Sequence, residues 1–169
     1  MNSYKNLFHS FTIVLAGLML TLCFCNSSER LSDGSKVMPE MKLVSASGNK
    51  VNLSSFKGKK VFVNLWATWC GPCVSEMPSI QQLYSNTNKK TAEFVLVAFD
   101  DDFETAKAWV KRKGFTMPVY AVQDDLPELF NVEGIPSTFI FNEEGKLVFS
   151  AVGSEDYSKP KFVKMLSAK

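Results

Sequence analysis

Trp69-Cys70-Gly71-Pro72-Cys73 follows the apolar run 61–68 and precedes a helical pattern that begins at Val74. The two thiols therefore lie where a buried strand meets a helix N-terminus. The first N–H groups of a helix lack internal partners and the helix dipole is positive there, so this position stabilises an anion such as a thiolate. We expect the pKa of Cys70 to fall below its ordinary value and the pair to cycle between dithiol and disulfide.

Three other uses of such a cysteine pair are open to the sequence. A zinc site needs about four ligands, and the remaining candidates are Cys23, Cys25 and His9, all at the N-terminus. Covalent haem attachment requires a histidine directly after Cys73, where the chain has valine. A structural disulfide with so short a loop restricts little of the unfolded chain. A redox-active pair is therefore favoured, with no metal and no other cofactor expected.

Composition is typical of a single exported domain. The chain has 169 residues, of which 46% are hydrophobic and 12% aromatic, enough for one hydrophobic core. Its formal net charge is +2, and acidic and basic residues are interspersed along the chain. This distribution indicates neither a nucleic-acid-binding surface nor an acidic tail.

Residues 1–25 are predicted to be an export signal or a membrane anchor. Lys5 supplies a positive start, and residues 11–25 are uncharged and strongly apolar. This length is typical of a signal-peptide core, while extension back to Leu7 approaches the length of a spanning helix. The run Leu20-Thr21-Leu22-Cys23 resembles a lipoprotein signal, although Leu22 stands where a small residue is usual. Because no small-x-small cleavage site follows, we prefer membrane tethering by either route to release.

Residues 26–36 are small and polar, and we interpret them as a flexible linker. The folded domain is predicted to span 37–169. It opens with two short extended segments around Ser47-Gly48-Asn49, which predict a β-hairpin.

The rest of the domain predicts an α/β fold. Its central mixed β-sheet should be flanked by helices on both faces, with the N-terminal β-hairpin as an extension. The expected elements are a buried strand over 61–67, a helix from the cysteines to about 84, a buried strand over 93–99, an amphipathic helix over 103–113, a short strand over 117–121, a helical turn over 126–130, an antiparallel hairpin of 137–141 and 146–150, and a final helix from about 160.

Three motifs resemble the thioredoxin fold, in the TlpA/ResA-like branch of extracytoplasmic thiol–disulfide oxidoreductases. They are Val63–Cys73, Glu76-Met77-Pro78 and Gly134-Ile135-Pro136-Ser137-Thr138-Phe139. The resemblance covers the chain from about Val37 to the C-terminus.

The resemblance implies roles for individual residues. Cys70 is expected to be the nucleophile and Cys73 the residue that resolves the mixed disulfide. The bond before Pro136 is expected to be cis and to lie opposite the sulfurs, where the backbone of Ile135 pairs with an extended substrate. The remaining expected substrate-contacting residues lie in the cysteine motif, and they are Trp69, Gly71 and Pro72. Trp66 and Trp69 either border this surface or fill the core.

Two further positions differ from cytoplasmic thioredoxin. Asn64 stands where thioredoxin carries a buried acid, and an amide has no proton to exchange at neutral pH. Glu76 lies three residues after Cys73 on the same helix face, and in the ResA-like family a glutamate here tunes the acidity of the pair. The alternative is a solvent-exposed glutamate that the helix dipole favours at an N-terminus.

Together these features predict a dithiol reductase of disulfides in exported proteins, located outside the cytoplasm on a bacterial membrane. By resemblance, its clients include apocytochrome c, and a membrane electron donor regenerates the dithiol. Three alternatives remain open at this point: a peroxiredoxin-like thiol peroxidase, a disulfide oxidase or isomerase, and a non-enzymatic module that binds extended peptides beside Pro136. The first is disfavoured because Cys70 lacks the Pro-x-x-x-Thr/Ser-x-x segment of peroxidatic cysteines.

Overall fold

The structure, a computed structural model, describes residues 36–167 and, as backbone, residues 28–31. The predicted leader and the lipoprotein signal at Cys23 lie outside the described residues. Among the described ranges, no helix combines the length and the apolar character needed to cross a bilayer. The strands are β1 Ser28–Leu31, β2 Lys42–Ser45, β3 Lys50–Asn52, β4 Lys60–Trp66, β5 Ala92–Ala98, β6 Val119–Val122, β7 Ser137–Phe141 and β8 Leu147–Val152. The α-helices are α1 Gly71–Asn86, α2 Phe103–Lys113 and α3 Pro160–Ser167.

These strands form one mixed sheet in the order β1-β8-β7-β4-β5-β6-β2-β3. β4, β5 and β6 are parallel to one another, while the β7–β8 hairpin lies antiparallel on the other side of β4. The predicted N-terminal hairpin is present as β2 and β3, and β2 also pairs with β6. The α/β fold with a central mixed sheet is thus confirmed.

Both faces of the sheet are covered, but by different structures. Successive side chains of β4 alternate between two clusters, so that Phe62 and Trp66 belong to one and Val63 and Leu65 to the other. All three α-helices contribute buried residues to the first cluster. The crossovers from β4 to β5 and from β5 to β6 advance in the same direction, and right-handed connections therefore place α1 and α2 on one face. The opposite face is covered by the N-terminal hairpin and two 3-10 turns, Leu53–Phe56 and Glu128–Phe130.

The structure departs from the predicted linker at β1. Four residues of the segment 26–36 pair antiparallel with β8, with Ser28 opposite Val152 and Leu31 opposite Phe149. A polar composition predicts a linker because it offers no apolar face to bury. An exposed sheet edge, however, is completed by backbone hydrogen bonds, which a polar segment supplies equally well.

Candidate active site

The cysteine pair lies at the junction of β4 and α1, as the sequence predicts. Cys70 is the N-cap residue of α1, and its Sγ is joined to that of Cys73 in a disulfide. Cys70 is 6% exposed and Cys73 is fully buried. An incoming thiol or disulfide can therefore approach Cys70 alone, which matches the attacking role expected of it.

The local backbone favours a thiolate at Cys70. The Cys73 N–H donates to Cys70 Sγ at 3.2 Å, which is the hydrogen bond that an N-cap side chain normally accepts. Pro72 occupies the first turn of α1, where its missing N–H leaves no helical bond unmade. After reduction the same N–H and the helix dipole face the sulfur and stabilise a negative charge on it.

The loop before β7 closes the other side of the sulfurs. The Ile135–Pro136 peptide bond is cis, as the resemblance implies. The Ile135 carbonyl oxygen lies 3.7 Å from Cys70 Sγ, and the Pro136 carbonyl accepts a hydrogen bond from Gly153 N–H at 2.8 Å. The end of β8 therefore braces the loop that faces Cys70.

The two tryptophans next to the motif have different environments. Trp69 is 70% exposed beside Cys70, while Trp66 is fully buried and its ring centroid lies 5.4 Å from that of Trp109. Gly71 and Pro72 are also exposed. Trp69, Gly71 and Pro72 thus remain available to contact a substrate, whereas Trp66 belongs to the core.

Glu76 is almost completely buried, with 2% of its surface exposed. Its Oε1 accepts a hydrogen bond from Asn64 Nδ2 at 2.9 Å, and its Oε2 accepts one from Glu155 N–H at 3.0 Å. Burial raises the pKa of Glu76 to about 7, although both hydrogen bonds act in the opposite direction. The solvent-exposed alternative for Glu76 is therefore wrong, and the chain holds an acid that titrates near neutral pH one helical turn after Cys73.

A buried polar chain continues from Glu76. Asn64 Nδ2 also donates to Thr138 Oγ1 at 2.9 Å, and the Tyr157 hydroxyl donates to the same oxygen at 2.6 Å. Asn64 Oδ1 has no hydrogen-bond partner among the residues that the structure describes. Asn64 thus links the Glu76 carboxyl group to Thr138 and fixes its position.

Sequence reasoning missed two members of this chain, Thr138 and Tyr157. Thr138 lies within the Gly134–Phe139 motif, and the register between β4 and β7 places it directly opposite Asn64. That pairing could have been found once the strand order was known. Tyr157 lies in the connection between β8 and α3, where no local pattern marks it.

Asp100 holds the loop that precedes the cysteines. Its carboxylate accepts hydrogen bonds from the Thr68 N–H, at 3.2 and 3.1 Å to its two oxygens, and from the Thr68 hydroxyl. The Phe99 N–H donates to the Trp66 carbonyl at 2.8 Å. Asp100, the first of the three acidic residues after β5, therefore has a structural role. It holds in place the loop between β4 and Cys70.

The zinc alternative finds no ligand set in the part of the chain that the structure describes. Within residues 36–167, no three histidine, cysteine or carboxylate side chains are grouped closely enough to hold a metal ion. The two cysteines in this range, Cys70 and Cys73, are joined to each other in a disulfide.

The raised pKa of Glu76 predicts a stability that depends on pH. Between pH 4.5, its ordinary value, and about 7, the folded chain holds a proton that the unfolded chain has lost. Unfolding releases that proton, so the free energy of unfolding should fall as the pH rises through this window, by at most about 3 kcal/mol.

Glu76→Gln provides the comparison, because it keeps the shape of the side chain and removes the titration. Urea unfolding of both oxidised proteins at pH 5 and pH 8 checks this. Wild type should lose more stability than the variant over that interval. Parallel losses would contradict a pKa near neutrality.

The chain is similar to proteins of known family. Residues 32–166 match the family model described as Redoxin. The thiol-disulfide oxidoreductase ResA of Bacillus subtilis (strain 168) is 33% identical over 127 residues, which cover 75% of this chain and 70% of that protein. ResA of Bacillus anthracis is 30% identical over 140 residues, which cover 82% of this chain and 80% of that protein.

The fold is also similar to that of a solved structure. The thioredoxin domain of a thiol-disulfide oxidoreductase from Bacteroides vulgatus superposes with a TM-score of 0.70 at 25% identity, over 82% of this chain and 100% of that one. The names of these relatives agree on one chemistry, thiol–disulfide exchange.

Proposed function

This chain belongs to the Redoxin family and is a ResA-like thiol–disulfide oxidoreductase of the thioredoxin superfamily, and we propose that it reduces disulfides in exported proteins outside the cytoplasm. Its substrates are proteins that carry disulfides or thiols. The observation that carries the reductase assignment is the pairing of a helix-capping Cys70 with a buried acid, Glu76, whose pKa is about 7.

The reaction begins with the dithiol form. The Cys70 thiolate attacks one sulfur of a substrate disulfide, the substrate S–S bond breaks, and one substrate sulfur leaves as a thiolate that takes a proton. Cys70 is then joined to the substrate in a mixed disulfide. The helix N-terminus favours this step because it keeps Cys70 ionised without requiring a neighbouring base.

Cys73 completes the transfer. The Glu76 carboxylate accepts the proton of the Cys73 thiol, and the resulting thiolate attacks Cys70 Sγ. The mixed disulfide breaks, the second substrate sulfur leaves and is protonated, and the Cys70–Cys73 disulfide forms. Two electrons and two protons have then passed to the substrate.

We place the substrate beside Cys70, between Trp69 and the cis-proline loop. An extended chain that pairs with the backbone at Ile135 would bring its disulfide to Cys70, since the Ile135 carbonyl is 3.7 Å from that sulfur. Trp69, Gly71 and Pro72 are exposed next to Cys70 and would contact the same segment. Backbone pairing of this kind selects extended segments with little regard to their side chains.

The cellular setting of the proposal comes from the leader. Residues 1–25 would direct export and tether the domain to a membrane, as a lipoprotein or a spanning anchor. A membrane electron donor would restore the dithiol after each turnover. Apocytochrome c, whose cysteines must be reduced before haem attachment, is the client class that we propose first.

The reduction potential of the Cys70/Cys73 pair tests this function. We expect a value near or below about −250 mV, because the Gly71-Pro72 dipeptide is that of thioredoxin, a reductant at about −270 mV. Equilibration of the purified protein against glutathione and dithiothreitol buffers measures it. A value between about −180 and −120 mV, the range of disulfide isomerase and strong oxidants, would contradict the reductase and indicate an enzyme that introduces or shuffles disulfides.

A further inference from the structure

Strand β1 determines where the N-terminal segment meets the folded domain. Leu147 N–H donates to the Lys36 carbonyl and Val37 pairs with Lys146. Lys36 and Val37, where the folded domain begins, therefore lie beside the first residue of β8. The active site lies near the other end of that strand, where Val152 is opposite Ser137. Six strand residues, about 20 Å, separate the two ends.

β1 carries the chain back along this length. It runs antiparallel to β8, with Ser28 opposite Val152. Ser28 and Ser137 therefore flank the same residue of β8, about 10 Å apart across two strand spacings. The chain that precedes Ser28 therefore leaves the domain at the end of the strands near Pro136, which we call the active-site edge. It does not leave at the opposite end of the strands, near Val37.

Only Asn26 and Ser27 separate β1 from the apolar leader. Two extended residues span at most about 7 Å. With β1 paired, the end of the leader is thus within about 20 Å of the cis-proline loop. With β1 unpaired, the eleven residues 26–36 could extend by more than about 35 Å from the opposite end of β8 and would leave the domain free to turn.

From this geometry we propose that the pairing of β1 with β8 holds the active-site edge toward the membrane surface. The inference rests on the membrane tether of the proposed function. It identifies the partner chemistry as dithiols and disulfides presented at the bilayer surface, because those are the groups that this orientation brings to Cys70. Trp69, which is 70% exposed at this edge, is of a residue type enriched at membrane interfaces.

The register of β1 supplies a matched pair of variants. Gly153 N–H points to β7, since it donates to the Pro136 carbonyl. Backbone groups alternate in direction along a strand, so those of Val152 and Ser150 point to β1 and pair with Ser28 and Arg30. Arg30→Pro removes an N–H that faces β8.

Glu29→Pro is the control for that variant. It removes an N–H that faces away from β8, on the outer side of the last strand of the sheet. Proline is tolerated at such an edge position. The two variants therefore differ in whether they remove a ladder hydrogen bond with β8, and also in the sign of the side-chain charge that they remove.

The first readout is the distance of Trp69 from lipid. The full-length chain is placed in vesicles of phosphatidylcholine and phosphatidylglycerol that contain a dansyl-headgroup lipid, and energy transfer from tryptophan is measured. Trp69→Phe gives the contribution of the two buried tryptophans, which is subtracted. We expect transfer from Trp69 in wild type and Glu29→Pro, and a marked loss in Arg30→Pro.

The second readout is the rate at which the Cys70–Cys73 disulfide is reduced by phosphatidylethanolamine carrying a dihydrolipoyl group. We expect Arg30→Pro to react about tenfold more slowly than Glu29→Pro, because it loses the high effective concentration at the surface. Reduction by soluble dithiothreitol should be equal in all three proteins, which also shows that the domain remains folded.

The outcomes separate the two proposals. A chain that does not associate with the vesicles overturns the tether and the orientation together. A chain that associates but shows equal Trp69 transfer and equal lipid-dithiol rates in both proline variants overturns the orientation and leaves the tether standing. Loss of both signals in Arg30→Pro alone supports the inference.

Discussion

Cys70→Ser is expected to abolish disulfide reduction completely. The hydroxyl of serine cannot form a disulfide, and no other sulfur in the described residues is accessible at this surface, since Cys73 is fully buried. The measurement is turnover of a protein disulfide, with dithiothreitol as the electron source. The loss should reach the uncatalysed rate.

Cys73→Ser is expected to behave differently from Cys70→Ser when it is given the same substrate disulfide. Cys70 still attacks, but nothing resolves the mixed disulfide, which should accumulate as a covalent adduct that is visible by non-reducing electrophoresis and mass spectrometry. The order of the two roles follows from this contrast. An adduct formed by Cys70→Ser and not by Cys73→Ser would reverse the assignment.

The two leader cysteines provide the control. Cys23 and Cys25 lie outside the cysteine motif, and a chain in which both are serine should retain wild-type turnover in solution. Retention of full activity by both active-site variants would refute the proposed mechanism.

Glu76→Gln is expected to slow resolution of the mixed disulfide by about a hundredfold, the lower end of what a positioned acid or base contributes. Glutamine has the same shape but cannot accept the Cys73 proton. In wild type the resolution rate should rise as Glu76 ionises around pH 7. In the variant that rise should disappear, and only ionisation of the thiol itself should remain at higher pH.

Rapid mixing of the dithiol enzyme with a substrate disulfide between pH 6 and 8 separates formation of the mixed disulfide from its decay. Glu155→Gln is the matched control, because Glu155 contacts Glu76 only through its backbone N–H while its carboxylate faces Lys159 and Lys161. It should keep the wild-type profile. A flat pH profile in wild type, or equal profiles in wild type and Glu76→Gln, would exclude proton transfer by Glu76.

Much of the active site could be predicted from local sequence. The apolar run before Cys70, the proline after it and the helical pattern from Val74 determine a strand, a cap and a helix within a few residues of one another. The disulfide joins residues three positions apart, so it can be predicted without knowing the rest of the fold. The elements of the C-terminal half were predicted on the same basis.

The environment of Glu76 could not be predicted in this way. Helical spacing places it near Cys73, but spacing does not distinguish a buried acid from an exposed one. Its burial depends on Asn64, which is 12 residues away, and on the backbone of Glu155, which is 79 residues away. The raised pKa is a property of that enclosure rather than of the motif.

The sequence by itself determined the redox pair, the strand and helix that carry it, and the α/β class, because each depends on hydrogen bonds and periodicity between near neighbours. Only the tertiary structure decided that Asn64 and the backbone of Glu155 enclose Glu76, that all three α-helices share one face, and that Ser28 returns the chain to the active-site edge. These features depend on strand order and on the removal of water from paired backbone and side-chain groups. Such desolvation arises from contacts between residues tens of positions apart, which no local pattern of residues specifies.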